Sequence, residues 1–241
     1  MYGMYGYGYG YGFDPTIILV LIGVALSLWA QGRVNSTFSR YSRVRSMTGM
    51  TGAEAARRLL NAQGIYDVTV QPIAGELTDH YDPRTKTVNL SQSVYGATSV
   101  AAIGVAAHEC GHAMQDNEGY APLRFRSALV PVANFGSSLS WPLILLGLVF
   151  GGLGSPLVEI GILMFSLAVL FQLVTLPVEY NASARAVRLL DSQGILAGEE
   201  VSGTRKVLNA AALTYVAAAA TSILQLLRLI ILFGGRNRRD N

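Results

Sequence analysis

His108-Glu109-Cys110-Gly111-His112 is the densest concentration of chemistry in the chain. Only three histidines occur in 241 residues, and two of them flank this Glu. Four positions apart on a helix, both imidazoles leave one face and can meet a single metal ion. Zinc suits such a pair. It binds neutral imidazole, keeps an open position, and lowers the pKa of its water to about 7. Glu109 lies beside the ligand face, placed to take a proton from that water and return it to a leaving amine. The bland alternative is two buried, hydrogen-bonded histidines. Cys110, the sole cysteine, reads as small packing rather than as a sulfur ligand.

A catalytic zinc needs a third protein ligand, and two residues lead. Glu179 opens Glu179-Tyr-Asn-Ala-Ser-Ala-Arg-Ala186, which reads as a helix start where a carboxylate otherwise serves the helix dipole. His80 sits in a strand-turn region, Asp79-His80-Tyr81-Asp82, where it could equally donate to an oxyanion or be an ordinary turn histidine. Tyr215 and Arg185 are further candidates for oxyanion or substrate contacts. An interfacial anchor and a salt bridge are their plain alternatives.

These groups need elements to hold them. Residues 99–116 are Ala-rich with helical spacing and carry the His pair. Thr51-Gly-Ala-Glu54 is a capping-box start and Gly64 a stop, so a helix is expected over 52–63. Residues 66–73, 76–82 and 86–90 read as strands, the last as an edge strand that an extended substrate could join. A further helix is expected over 182–193. Its end, Arg188-Leu-Leu-Asp-Ser-Gln-Gly-Ile195, echoes Arg58-Leu-Leu-Asn-Ala-Gln-Gly-Ile65, which reads as one glycine stop used twice.

Composition sets the surroundings. The chain is 51% hydrophobic and 14% charged, with mean hydropathy +0.37, against roughly 25% charged residues in a soluble domain. That argues for a membrane protein and against disorder. A net charge of +3 gives no ground for a nucleic-acid partner. Residues 15–32 are uncharged, enough for one span and without the basic lead of a signal peptide. Spans near 128–150 and 157–178 form a hairpin around a Gly-rich turn, within a 127–178 membrane unit. A hairpin leaves and re-enters one face, which returns Glu179 to the side of the His pair. The stretch 211–233 carries Thr214, Thr221, Gln225 and Arg228 on one helix face, the mark of a bundle interior or of a helix lying at the interface.

The expected organisation is a Tyr/Gly tail (1–14), a first span (15–32), a domain (33–126), the hairpin, a second domain segment (179–210), a final helix (211–233) and a basic tail (234–241). Basic flanks at Arg33, Arg40, Arg43, Arg45, Arg124, Arg126, Arg185, Arg188, Arg205 and Lys206 place the domain on the cytoplasmic side. Arg236, Arg238 and Arg239 disagree if the last helix crosses fully.

VAAHECGHAMQ at 105–115, HYDPRTKTVNLSQSVYG at 80–96 and PVEYNASARA at 177–186 resemble the YugP-type neutral zinc metallopeptidases, bacterial membrane proteins similar in layout to HtpX and the CAAX-type prenyl proteases. The resemblance covers about 13–233. It implies one zinc on His108, His112 and Glu179, Glu109 as general base, and cleavage of protein or peptide substrates at the bilayer of the cell membrane. In the HtpX-like pattern an Asp follows the ligand Glu by four residues; here Ser183 holds that position, with Asn181 nearby. The fold implied is mostly α, with three to four transmembrane helices and a small α+β zincin-like domain. The rival function is a non-catalytic membrane scaffold retaining a structural zinc.

Overall fold

A computed structural model describes residues 14–152 and 155–233. The Tyr/Gly and basic tails, apart from Asp14, lie outside the described residues, as do Leu153 and Gly154 of the hairpin turn. Among the described residues, four helices are long and apolar enough to cross a membrane: α1 (Ile17–Ser42), α5 (Ala121–Gly151), α6 (Pro156–Ser192) and α7 (Glu199–Phe233). Between α1 and α5 lie α2 (Gly52–Ala62), β1 (Thr69–Ile73), β2 (His80–Asp82), β3 (Thr87–Ser91), α3 (Gln92–Tyr95) and α4 (Val100–Asn117). The protein is thus a mostly helical membrane protein with a small α+β part.

Small residues set the helix pairing, as expected where lipid removes the hydrophobic drive between spans. On α1, Gly23 meets Thr221 of α7, and eighteen residues further on Tyr41 meets Gly203. The two helices are therefore antiparallel and in register over about 27 Å at 1.5 Å per residue. Thr221 donates to the Gly23 carbonyl (3.1 Å), and Arg228 pairs with Asp14 (2.9 Å). Thr221 and Arg228 of the α7 polar stripe thus face α1 and its leading turn, and α7 is long enough to cross a bilayer. In the α5–α6 hairpin, Gly136 lies against the Met164 carbonyl and Gly161 against that of Ser140.

Two expected boundaries disappear. The helix foreseen over 182–193 is the end of α6, which continues through Pro177, and the last span is the end of an α7 that starts at Glu199. At 37 and 35 residues, these helices measure about 55 and 52 Å. Each is long enough to cross the hydrocarbon and extend roughly 20 Å beyond it. Transmembrane helices tolerate proline, so Pro177 is no stop. Glu179 consequently sits deep inside a helix, and the helix-start reading of its carboxylate lapses, because that effect fades within one turn.

The water-facing core packs α2, α4, β1, β3 and the projecting ends of α6 and α7 around Leu59, Val88, Leu90, Ile103, Leu190 and Ile195. The capping box of α2 is formed: Thr51 accepts from the Glu54 amide (3.2 Å), while Glu54 accepts from the Thr51 amide (2.8 Å). The echoed segments do share one stop. Gly64 and Gly194 have φ of +69° and +61°, and the amides of Ile65 and Ile195 bond back to the carbonyls of Leu60 and Leu190.

The sheet order is β1-β3-β2, with β1 parallel and β2 antiparallel to β3. The strand expected at an edge, β3, is therefore central, and both of its ladders are taken. Pro72 is accommodated on the outer strand β1. The expected strand over 76–82 shrinks to residues 80–82, because Gly75 (φ +104°) and Leu77 (φ +53°) bend the chain and deliver Asp79 inward.

Candidate metal centre

Ser99 caps α4 by accepting from the Ala102 amide (3.2 Å). The helix lies beneath the sheet and against α6 and α7, and two glycines permit that approach. A Cβ at Gly111 would meet the Ala182 carbonyl of α6 at 2.6 Å, and one at Gly104 would meet Thr204 of α7 at 2.8 Å. A mid-helix glycine costs about 1 kcal/mol relative to Ala; here the absent methyl lets α6 come close enough to present Glu179.

His108 and His112 stand together, ring centroids 4.8 Å apart and nearly perpendicular. Glu179 Oε2 is 3.3 Å from His108 Nε2 and 3.5 Å from His112 Nε2. The ligand atoms of the three lie within 4.8 Å of one another. With ligand bonds of about 2.0–2.2 Å, a tetrahedral zinc sets its ligands about 3.3–3.5 Å apart, so the two contacts match. Electrostatics agree. Glu179 is 2% exposed. Burial works against a charged His112, yet Glu179 and Glu109 hold its pKa above the ordinary imidazole value. The cluster is arranged for a positive charge at its centre.

The far ring nitrogens are also engaged. Ser183 Oγ is 3.1 Å from His108 Nδ1, and Gln115 Oε1 is 3.1 Å from His112 Nδ1. If each Nδ1 donates, each Nε2 is left as a lone pair aimed at the centre. Gln115, wholly buried, donates to the Val178 carbonyl (2.9 Å) and to Asn181 Oδ1 (3.0 Å). Arg185 donates to the same Asn181 oxygen (2.7 Å) and pairs with Glu118 (2.6 Å), whose carboxyl it holds below the usual range. Arg185 is thereby committed to orienting α6 against α4. It lines neither cavity at the centre.

Two cavities, of about 270 and 300 Å³, flank the cluster and share Asp79, His108, Glu109, Glu179 and Tyr215 in their walls. Glu109 and Tyr215 therefore face both lobes. His80 lines the second lobe, but its ring is engaged by the Thr78 carbonyl (2.9 Å) and Asn89 (3.3 Å), apart from the ligand cluster. Of the two third-ligand candidates, the fold brings Glu179 to the pair. Cys110 is fully buried with its sulfur 3.6 Å from the Ala56 carbonyl, and burial pushes its thiol pKa up, as befits packing.

Two residues without a site role in the sequence reading line the cleft. Asp79 accepts from the Ser91 amide (2.7 Å) and hydroxyl (2.9 Å), and burial raises its pKa. Arg126, counted only as a flanking charge, sets Nη1 at 3.9 Å from Glu179 Oε1, and its buried Nε has no hydrogen-bond partner among the described residues. Because α5 already starts at Ala121, Arg126 lies in its second turn and reaches the centre. No local signal marked it.

Residues 16–234 match the model of a family described as "Putative neutral zinc metallopeptidase". The chain belongs to that family. It is also 50% identical over 224 residues to "Putative membrane protease YugP" of Bacillus subtilis (strain 168), covering 93% of this chain and 98% of that protein. No solved structure matches.

Proposed function

We propose that the protein is an integral-membrane zinc endopeptidase cleaving protein or peptide substrates at the membrane surface, with its centre facing the cytoplasm across the cell membrane. The observation that carries this reading is the approach of Glu179 Oε2 to both imidazole Nε2 atoms, at 3.3 and 3.5 Å. His108, His112 and Glu179 would hold the ion. When bound, zinc polarises the scissile carbonyl and brings the pKa of a water to about 7.

Glu109, buried and shared by both lobes, takes a proton as water attacks the peptide carbon and passes it to the departing amine nitrogen. Negative charge grows on the carbonyl oxygen, and donors preorganised for it lower the barrier. Tyr215, His80 and Arg126 all border the second lobe. Of these, Arg126 carries a full positive charge and sets Nη1 within 3.9 Å of Glu179, which favours it as the principal contact. Ser183 and Gln115 orient the ligand imidazoles, and Arg185 steadies that scaffold through Asn181. The short outer strand β2 borders the cleft with His80 and Tyr81, so an extended substrate would pair there rather than with β3.

The test is Glu109→Gln in detergent. The reading expects zinc retained and peptidase activity reduced by several orders of magnitude. Undiminished turnover would overturn it, and a wild type that turns over no peptide while its zinc persists would favour the scaffold.

A further inference from the structure

Just beyond the membrane-spanning parts of α1, α6 and α7 a cavity of about 690 Å³ opens, separate in its lining from the two at the metal centre. Arg33 and Arg40 lie seven residues apart on one face of α1. Lys206 and Leu213 have the same spacing on α7, and Tyr180 of α6 closes the third side. Residues seven apart share a helix face, so both helices present a continuous wall. Arg33, Arg40 and Lys206 are all exposed, and among the described residues none of them pairs with a carboxylate. Three uncompensated cations around one concavity attract an anion.

The level of the cavity identifies that anion. Arg33 is the first charge after the uncharged stretch 15–32, Tyr180 follows the span ending near 178, and Lys206 precedes the apolar run from 211. Leu213 lies toward the apolar side and the cations toward water. A basic flank serving only orientation needs no shape. Here the charges converge from two helices on a cavity at the hydrocarbon boundary, where lipid phosphates lie.

We propose that this cleft binds the phosphate of an anionic phospholipid headgroup, with Arg33, Arg40 and Lys206 as its cationic contacts. The acyl chains would then continue along the exposed apolar faces of α1 and α7.

Native mass spectrometry of the full chain in detergent tests this, with phosphatidylglycerol, phosphatidylcholine or inorganic phosphate as probe. Wild type should retain phosphatidylglycerol at least about tenfold more than phosphatidylcholine, since each cation near the surface contributes roughly a factor of five. Arg33→Gln/Arg40→Gln/Lys206→Gln should lose that preference. Arg33→Lys/Arg40→Lys should keep most of it, and Arg43→Gln, which lies outside the cleft, all of it. Equal retention of both lipids by wild type, or unchanged preference in the Gln variant, overturns the proposal. So does inorganic phosphate protecting the protein from heat as well as phosphatidylglycerol does, which would assign the cleft to a soluble anion.

Discussion

Gly111 of α4 rests on the backbone of Ala182 in α6 so closely that a methyl group there would lie 2.6 Å from a carbonyl oxygen. The contact sets the distance between the helix bearing the imidazoles and the helix bearing Glu179. Neither backbone can yield as a flexible side chain would. Gly111→Ala should therefore destabilise by about 1–3 kcal/mol through overpacking, despite its better helix propensity, and should weaken zinc binding. Thermal unfolding with and without zinc reads both effects; a more stable variant with unchanged affinity would contradict the packing argument.

Ser183 contacts His108 Nδ1 at 3.1 Å from the position where the HtpX-like pattern has Asp. Loss of such a supporting partner typically costs 10–100-fold in metal affinity or activity. For a neutral hydroxyl, Ser183→Ala should fall near the lower end, about tenfold in zinc affinity. Competition with a chelator measures it. Ser183→Asp should bind zinc at least as tightly as wild type if the hydroxyl stands in for a carboxylate.

Asp116 ties α4 to the sheet through Lys86 (2.7 Å) and Tyr81 (2.8 Å). Burial opposes its ionisation, but those two partners outweigh burial and keep its pKa below the ordinary value. A depressed carboxylate pKa stabilises the fold above the unfolded value of about 3.9 and loses that contribution as pH falls through the folded value. Lys86 is 39% exposed, so screening limits the effect to about 1 kcal/mol at most. Asp116→Asn should be less stable than wild type at neutral pH, and the gap should begin to narrow near about pH 4 and close only below the depressed folded value. Denaturant titrations across pH check this; a gap constant with pH would rule out the ionised tie.

Asp14 and Arg228 mark one end of the α1–α7 pair, and the domain carrying Met47 (88% exposed) lies past the other. Cys110 is buried, so cysteines placed at 14 and 47 can report topology. A membrane-impermeant maleimide should label Asp14→Cys in intact cells and Met47→Cys only after permeabilisation. The reverse pattern would put the metal centre outside.

What the sequence made legible was local. The His pair, the capping box and the glycine stops follow from spacings of a few residues, and the hairpin was visible because uncharged runs are long. Strand order was not legible, since residues 86–90 carry the same pattern at an edge or in the middle. The continuity of α6 through Pro177 was hidden because proline usually ends a helix in water, and bundle packing relaxes that rule. In sequence Arg126 reads as a charge that orients the chain; only the early start of α5 brings it beside Glu179. The contribution of Gly111 lay inside the motif, but its meaning depends on Ala182, seventy-one positions away.

The proposed centre holds one divalent cation between two imidazoles of α4 and a carboxylate of α6. The direct measurement is zinc per chain by elemental analysis in purified wild type, Glu179→Ala and His80→Ala. About one zinc is expected in wild type and in His80→Ala, with at least about a tenfold loss of zinc affinity in a folded Glu179→Ala. Zinc held undiminished without Glu179, or absent from well-folded wild type under every loading condition, would contradict it.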